Sequence, residues 1–185
     1  MKFEVTSIPD VLILTPRVFN DERGTFCETF NQNLFNSITE QGLSFVQDNQ
    51  SISKKGVLRG LHLQSRKPQG KLVRVTHGEI YDVFVDCRPT SASLGKYAGL
   101  RLTAESFQQL WIPPGFAHGF LTLSERATIQ YKVTDYYDPG FELTLAWNDP
   151  LLSIDWPVSS DLYLSEKDAK GMDFKSVMEQ LTKFQ

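Results

Sequence analysis

Two short segments of the chain hold histidines in settings where an imidazole could exchange protons or bind a metal. Residues 56–64 read G-V-L-R-G-L-H-L-Q and set Arg59 and His62 three residues apart in an apolar, strand-like run. Residues 113–120 read P-P-G-F-A-H-G-F and carry His118, and the whole chain has only three histidines. Because both segments are rich in turns or in alternating apolar residues, we expect these two imidazoles to face a cavity.

A metal site is the first chemistry to test. Residues 113–118 fit the P-x-G-x-x-H motif that supplies the last histidine of the metal site in many cupin-type jelly rolls. The H-x-H motif that should precede it reads His62-Leu63-Gln64, so the second histidine is missing. Two histidines and a glutamine are a poor ligand set for zinc or iron. We therefore predict an acid/base site with no metal and no cofactor.

Strand alternation adds further polar side chains to the expected interior. It places Tyr131 on the apolar face of a strand at 127–134, Glu28 between two phenylalanines, and His62 on the same face as Gln64. A buried carboxylate, imidazole or phenol is costly unless it is paired or takes part in chemistry. We interpret these groups as a candidate functional site.

The composition argues against several classes of function. The net charge is −3 with no run of lysine or arginine, so a nucleic-acid or membrane-surface role has no electrostatic support. Cys27 and Cys87 are too few for a disulfide framework. We find no signal peptide and no apolar stretch long enough to span a bilayer, and we expect a cytoplasmic location.

The elements that must position these residues are mainly strands. The hydrophobic period is two through the middle of the chain, and segments 71–75 and 80–86 flank His77-Gly78 as a predicted hairpin. Further strands are predicted at 110–112, 119–123 and 127–134. No linker divides the 185 residues, which predicts one domain over 1–185. The expected fold is all-β: a cupin-type antiparallel jelly roll, that is, a β-sandwich or barrel with a few short peripheral helices.

Two helices are predicted at the periphery. One covers about residues 34–41, with Asn33 as its N-cap and Gly42 as its stop signal. The other follows Asp173 and places Phe174, Val177, Met178 and Leu181 on one face.

Eight blocks of sequence follow one another along nearly the whole chain. They are F-N-D-E-R-G-T-F-C-E-T-F from Phe19, Q-D-N-Q-S-I-S from Gln47, G-V-L-R-G-L-H-L-Q, Q-G-K-L-V-R-V from Gln69, P-P-G-F-A-H-G-F, Y-K-V-T-D-Y-Y-D-P from Tyr131, W-N-D-P from Trp147 and L-S-E-K-D from Leu164. In composition and order these blocks resemble the dTDP-4-dehydrorhamnose 3,5-epimerase family, a cupin-fold family that acts on nucleotide sugars.

The resemblance implies four catalytic residues. A 4-keto sugar has acidified hydrogens beside its carbonyl group, and His62 would remove one of them as the base. Asp168 would pair with His62, Lys71 would face the ketone oxygen, and Tyr131 would return a proton on the opposite face. From the residues alone, Lys71 equally fits a solvated strand end, Asp168 a capping box begun by Ser165, and His62 and Tyr131 hydrogen-bonded core residues.

The resemblance also implies the substrate contacts and the assembly. Arg59 would bind the diphosphate, Tyr137 would stack on the thymine ring, and His118 would lie near the sugar. The family is homodimeric with N-terminal strands crossing between subunits, so the partner chain can supply some contacts. The remaining matched positions are Arg23, Glu28, Gln47, Asn49, Glu142 and Lys167, with Phe19 and Phe26 lining the cleft.

Three alternatives stay open from the sequence. A single-carbon epimerase of a related nucleotide 4-keto sugar would use the same base and acid. A metal-dependent cupin and a non-catalytic sugar-binding cupin are the other two classes.

One segment departs from the family pattern. Residues 141–146 read F-E-L-T-L-A where the family often has E-x-G-I-x-W. Glu142 still matches, but the local loop geometry does not follow from the resemblance.

Overall fold

The structure is a computed structural model that describes residues 1–158 and 161–183. Thirteen strands and three short helices lie within these residues. The strands are β1 Lys2–Val5, β2 Leu12–Thr15, β3 Val18–Asp21, β4 Gly24–Cys27, β5 Gln47–Lys54, β6 Leu58–Gln64, β7 Lys71–His77, β8 Glu79–Asp86, β9 Tyr97–Thr103, β10 Gln109–Ile112, β11 Phe116–Thr122, β12 Arg126–Val133 and β13 Glu142–Thr144. The helices are α1 Gln32–Thr39, α2 Glu166–Ala169 and α3 Phe174–Thr182.

The strands form two large antiparallel sheets and one separate pair. The six-stranded sheet has the order β1-β2-β10-β7-β12-β5, and the five-stranded sheet has the order β13-β6-β11-β8-β9. The two-stranded sheet is β3-β4. Their inner faces pack on each other, with Val73 and Ile129 from one sheet in the same apolar cluster as Phe84 and Phe116 from the other. The predicted all-β, cupin-type jelly roll with few helices is confirmed.

Chain segments outside the sheets cover part of the outer face of each large sheet. On the five-stranded sheet, Leu61 and Val83 pack with Val177 of α3 in a second apolar cluster. On the six-stranded sheet, α1 places Phe35 against Trp111, with ring centroids 4.9 Å apart and rings nearly perpendicular. Edge-to-face aromatic pairs of this kind add to the stabilisation from burial.

The predicted hairpin at His77-Gly78 is wrong. β7 pairs with β10 and β12, whereas β8 pairs with β9 and β11, so the chain passes from one sheet to the other at Gly78. Gly78 has a φ of +77°, and a Cβ there would clash with the backbone oxygen of Arg126. The predicted turn at Gly78 is therefore present. The alternation of two consecutive strands, however, looks the same whether the strands pair within one sheet or lie in two facing sheets.

The two predicted helices are present, with one pair of boundaries corrected. α1 begins after Asn31, whose side chain accepts a hydrogen bond from the backbone N–H of Leu34. It ends at Glu40, which adopts the left-handed region with a φ of 54°. The predicted N-cap at Asn33 and stop at Gly42 are therefore wrong. α3 begins as predicted after Asp173, which caps it by accepting from the backbone N–H of Ser176.

Candidate functional site

An open cavity of about 660 Å³ lies between the two sheets at one end of the sandwich. Its walls come from β5, β7 and β12 of one sheet, from β6, β11 and β13 of the other, and from α2. Eleven of the fifteen site residues expected from the sequence line it. They are Gln47, Asn49, Arg59, His62, Lys71, His118, Tyr131, Tyr137, Glu142, Lys167 and Asp168.

A local irregularity in β6 places Arg59 and His62 in the same cavity. In a regular strand, residues three apart point to opposite faces. Here Gly60 has a φ of +115°, and the pairing of β6 with β11 shifts register between His118 and Phe120. A Cβ on Gly60 would lie 2.6 Å from the Cα of Gly119, so glycine is required for the approach of the two strands.

His62 and Asp168 form a dyad, with 2.6 Å between Nε2 and Oδ1. Burial alone would raise the pKa of Asp168, but the hydrogen bonds from His62 and Ser165 outweigh it and hold that pKa below its usual range. A carboxylate acceptor keeps the proton of a neutral His62 on Nε2 and leaves the lone pair on Nδ1. Nδ1 makes no hydrogen bond to any residue that the structure describes, so it is the nitrogen able to accept a proton.

The capping box proposed for Ser165 and Asp168 is half formed. The backbone N–H of Asp168 donates to the hydroxyl of Ser165, the N-cap of α2, at 3.1 Å. The carboxylate of Asp168 bonds His62 instead of returning to the backbone of Ser165. The cap thus fixes the backbone of Asp168 and leaves its side chain to orient the imidazole.

Lys71 enters the cavity from the six-stranded sheet as a buried cation. Burial lowers its pKa from 10.5 to about 8, although the charges of Asp82 and Glu142 act in the opposite direction. Its Nζ lies 3.5 Å from the backbone oxygen of His62. A desolvated ammonium beside the base can stabilise negative charge that develops on a bound oxygen.

Tyr131 faces His62 from the other sheet. It lies on β12, and His62 lies on β6, so the phenol and the imidazole line the same cavity from opposite walls. Burial raises the pKa of Tyr131, while the nearby charge of Arg59 partly offsets this. The phenol therefore remains protonated at neutral pH and can act as a proton donor.

The outer part of the cavity is a hydrogen-bonded network centred on Glu142. Its carboxylate accepts from the hydroxyl of Tyr137 and from the ammonium of Lys167, each at 2.8 Å. These two bonds lower the pKa of Glu142 against the opposing effect of its burial. Gln47 donates to Asn49 at 2.8 Å and accepts from the backbone N–H of Tyr137 at 3.1 Å.

Sequence reasoning missed Asp82. This completely buried residue lies on β8 and accepts from Nε2 of His118 at 2.9 and 3.0 Å. The available signal was the alternation of β8, which places Asp82 on the inner face between Ile80 and Phe84, both members of the inter-sheet cluster.

Four expected site residues lie elsewhere in the single chain. Phe19, Arg23 and Phe26 border a separate hollow of about 410 Å³ on the β3-β4 pair, and Arg23 forms an ion pair with Asp21 at 2.6 Å. The inward orientation expected for Glu28 is wrong: β4 ends at Cys27, and Glu28 is exposed. The pair has no neighbouring strand in either large sheet, so alternation along it does not separate a buried face from an exposed one.

Within residues 1–158 and 161–183, no group of three or more histidine, cysteine, aspartate or glutamate side chains is arranged to hold a metal ion. Over the same residues, no helix has the length and apolarity needed to cross a membrane.

The fold is a cupin-type jelly roll whose cavity brings together an imidazole, a carboxylate, an ammonium and a phenol, groups that are able to exchange protons. The family model described as dTDP-4-dehydrorhamnose 3,5-epimerase matches residues 5–176, and the chain belongs to this family of isomerases. The family expected from the sequence, and its enzymatic nature, are confirmed.

Individual relatives agree over nearly the whole chain. The dTDP-4-dehydrorhamnose 3,5-epimerase of Pseudomonas aeruginosa is 53% identical over 174 residues, which cover 94% of this chain and 96% of the relative. That of Escherichia coli K12 is 57% identical over 166 residues, covering 89% and 90%. The crystal structure of the dTDP-6-deoxy-D-glucose-3,5-epimerase of Legionella pneumophila in complex with dTDP-4-keto-L-rhamnose superimposes with a TM-score of 0.94 at 44% identity, covering 97% of this chain and 96% of that one.

Proposed function

We propose that the protein epimerises dTDP-4-dehydro-6-deoxy-D-glucose at C3 and C5 to dTDP-4-dehydro-L-rhamnose, as a step of dTDP-L-rhamnose biosynthesis. The observation that carries the proposal is the placement of His62 and Tyr131 on facing sheets around one cavity. Inversion of a carbon needs a base on one face and an acid on the other, which is what two opposing walls provide. The relatives' named activity and the Legionella complex support the choice of substrate.

The proton transfers follow from the side chains present. His62 removes a proton from the carbon beside the ketone through Nδ1, and the C–H electron pair moves into an enolate whose oxygen carries the negative charge. Asp168 stabilises the imidazolium that results, and Lys71 stabilises the enolate. Tyr131 donates its proton to the carbon from the opposite face. Exchange with solvent then returns a proton to Tyr131 and removes one from His62, which restores both groups for the next turnover. The overall reaction is an isomerisation and is therefore redox neutral.

The nucleotide part of the substrate occupies the outer cavity in this proposal. Arg59 binds the diphosphate, since its guanidinium presents two parallel donors to adjacent phosphate oxygens. Tyr137, which is half exposed, stacks on the thymine ring. The remaining polar groups of the cavity contact the base and sugar: Gln47, Asn49, His118, Glu142 and Lys167.

We also propose a homodimer in which the β3-β4 pair of one copy completes the site of the other. Phe19 and Phe26 on this pair are 48% and 69% exposed, which is unusual for large aromatic side chains. Arg23 and Glu28 are exposed beside them and would contact the nucleotide across the interface. A mixture of Arg23→Ala and His62→Asn proteins tests this, since heterodimers would regain one intact site. A mixture no more active than its separate components would contradict a shared site.

The remaining assignments complete the proposal. We treat residues 1–185 as one domain, because strands from both halves of the chain share the two large sheets. The two cysteines, Cys27 and Cys87, are free thiols. Free thiols are typical of a reducing compartment, which supports a cytoplasmic location.

The test is incubation with dTDP-4-keto-6-deoxy-glucose in deuterium oxide, followed by mass spectrometry and NMR at C3 and C5. The wild type should incorporate deuterium and invert both carbons. His62→Asn should lose exchange at both carbons by roughly 10²- to 10⁴-fold, the usual cost of removing a general base. Tyr131→Phe should still exchange, but deuterium should enter faster than configuration is lost, because His62 returns the proton to the original face.

Each alternative function gives a different result in the same assay. Exchange and inversion at one carbon only would identify a single-carbon epimerase. Substrate binding without any exchange would identify a sugar-binding protein. Activity that is lost to chelators and restored by a metal would identify a metal-dependent cupin.

A further inference from the structure

A buried carboxylate lies behind the cavity wall, hydrogen-bonded to the lining residue His118, and the proposed proton transfers do not use it. Asp82 is completely buried on the inner face of β8, between apolar neighbours of the inter-sheet cluster. Its only side-chain hydrogen bonds among the described residues are those with His118. A buried carboxylate of this kind is costly unless a positive charge lies close to it.

Lys71 is a cation that meets this requirement, whereas His118, which is hydrogen-bonded to Asp82, does so only when its ring is protonated. It approaches from β7 of the opposite sheet and is itself buried. Three groups raise the pKa of Lys71 through their charge, and Asp82 raises it most, ahead of Glu142 and Cys87. The carboxylate and the ammonium therefore compensate each other across the sandwich.

We propose that Asp82 is a positioning residue that keeps Lys71 in the ammonium form and fixes the ring of His118, while it does not itself line the cavity. The catalytic consequence rests on the proposed function, in which Lys71 must be charged to stabilise the enolate. Without Asp82, burial would favour the neutral amine, and the enolate oxygen would lose its cation.

The other ionisable groups around Lys71 cannot replace Asp82. Those that face Lys71 or share its cavity are Arg59 and His62 on β6, Cys87 after β8, His118 on β11, Tyr131 on β12, Tyr137 after β12, Glu142 on β13, and Lys167 and Asp168 on α2. The carboxylate of Asp168 is already hydrogen-bonded to His62. Glu142 already has hydrogen bonds from Lys167 and Tyr137, so its negative charge is largely compensated. Burial keeps the thiol of Cys87 and the phenol of Tyr131 protonated at neutral pH.

Asp82→Asn tests the charge while keeping the shape and an acceptor for His118. Burial sets the pKa of Lys71 at about 8 in the wild type, and kcat/KM should fall on the alkaline side near that pH. In Asp82→Asn, this alkaline limb of the kcat/KM profile should lie about one pH unit lower. One unit is the lower end of the pKa shift that a neighbouring opposite charge causes. At pH 8.5 the loss in kcat/KM should approach tenfold, and it should be smaller near pH 6.5.

Two matched variants separate this effect from a structural one. Asp86→Asn removes another completely buried carboxylate of β8, one that binds Arg88, Ser91 and Ser93 instead of the site. Asp86→Asn should lower the thermal stability but leave the alkaline fall in kcat/KM at the same pH. His118→Gln should weaken substrate binding without moving the limb.

A direct titration keeps the test independent of activity. The Cε chemical shift of Lys71, followed by NMR in ¹³C-lysine-labelled protein and assigned with Lys71→Arg, should titrate at lower pH in Asp82→Asn than in the wild type. If the wild type shows no exchange, the proposed function fails, and this titration still decides the role of Asp82. Should Asp82→Asn not fold, Asp82→Ser should give the same shift. An unchanged Lys71 titration in a folded Asp82 variant would overturn the proposal.

Discussion

Replacing Lys71 with methionine should stabilise the protein while removing its activity. Burial lowers the pKa of Lys71 from 10.5 to about 8, a difference of about 2.5 units. At about 1.4 kcal/mol per unit, the charged lysine costs the folded state roughly 3 kcal/mol at neutral pH. The value of about 8 already includes the attraction of Asp82, so this cost is what remains after the carboxylate has been compensated. Methionine has a similar length and no charge to desolvate, so Lys71→Met should recover up to this amount even though Asp82 loses its cation.

Urea denaturation at a series of pH values measures the effect. The unfolded chain holds the lysine proton up to about pH 10.5, but the folded chain releases it near pH 8. The free energy of unfolding of the wild type should therefore gain from Lys71 as the pH rises between these values. Lys71→Met has no such gain, so the difference between the two proteins should be largest below pH 8 and shrink above it.

The control is Lys132→Met, which removes a partly exposed lysine paired with Asp48 on the outer face of the same sheet. Its effect on stability should stay below about 1 kcal/mol. The reasoning is refuted if Lys71→Met is no more stable than the wild type at pH 7, or if the difference between the two does not depend on pH. Deuterium exchange should be strongly reduced in Lys71→Met.

Two further predictions concern binding and alkaline stability. Arg59→Ala should raise the Kd of the nucleotide sugar by roughly 10- to 100-fold with a smaller change in kcat, because the diphosphate is bound alike before and during the reaction. Calorimetry measures this Kd, and an unchanged value would argue against the assigned contact. Burial raises the pKa of the Cys87 thiol from 9.0 to about 12, so this thiol should contribute a loss of stability as the pH rises above 9, which opposes the gain from Lys71 up to about pH 10.5. Cys87→Ala should lose less over this range, and equal slopes in alkaline urea titrations would count against the buried thiol as the cause.

Period-two patterns predicted β7, β8, β10, β11 and β12 because each of these strands buries one face in the inter-sheet core, whereas β1, β2, β5, β9 and β13 were not predicted. β12 is the clearest case: Ile129 and Val133 are completely buried on the face that also carries Tyr131. The same patterns could not predict which strands pair. The misassigned hairpin at Gly78 shows why, since a tight turn between two alternating strands serves both a hairpin and a crossing between sheets.

The site was predictable in part. Tyr131 followed from alternation, but Arg59 shares its cavity with His62 only because the strand is irregular at Gly60. Asp168 could not be found from local sequence, because its partner His62 is 106 residues away. Glu28 failed for a different reason: the β3-β4 pair packs in neither large sheet, so nothing in the single chain defines its inner face.

The separation of His62 from Asp168 has a consequence for the order in which the enzyme is made. Every strand that the structure describes ends by Thr144, and the orienting carboxylate comes only afterwards, on α2. Two isolated bridges, Val57 to Tyr163 and Leu145 to Met172, attach the surrounding segment to the finished sheets. During synthesis, the two sheets can therefore form before the α2 wall of the cavity is present, and the proposed base then has no partner. Under the proposed roles, an unfinished chain would lack the carboxylate that orients its base.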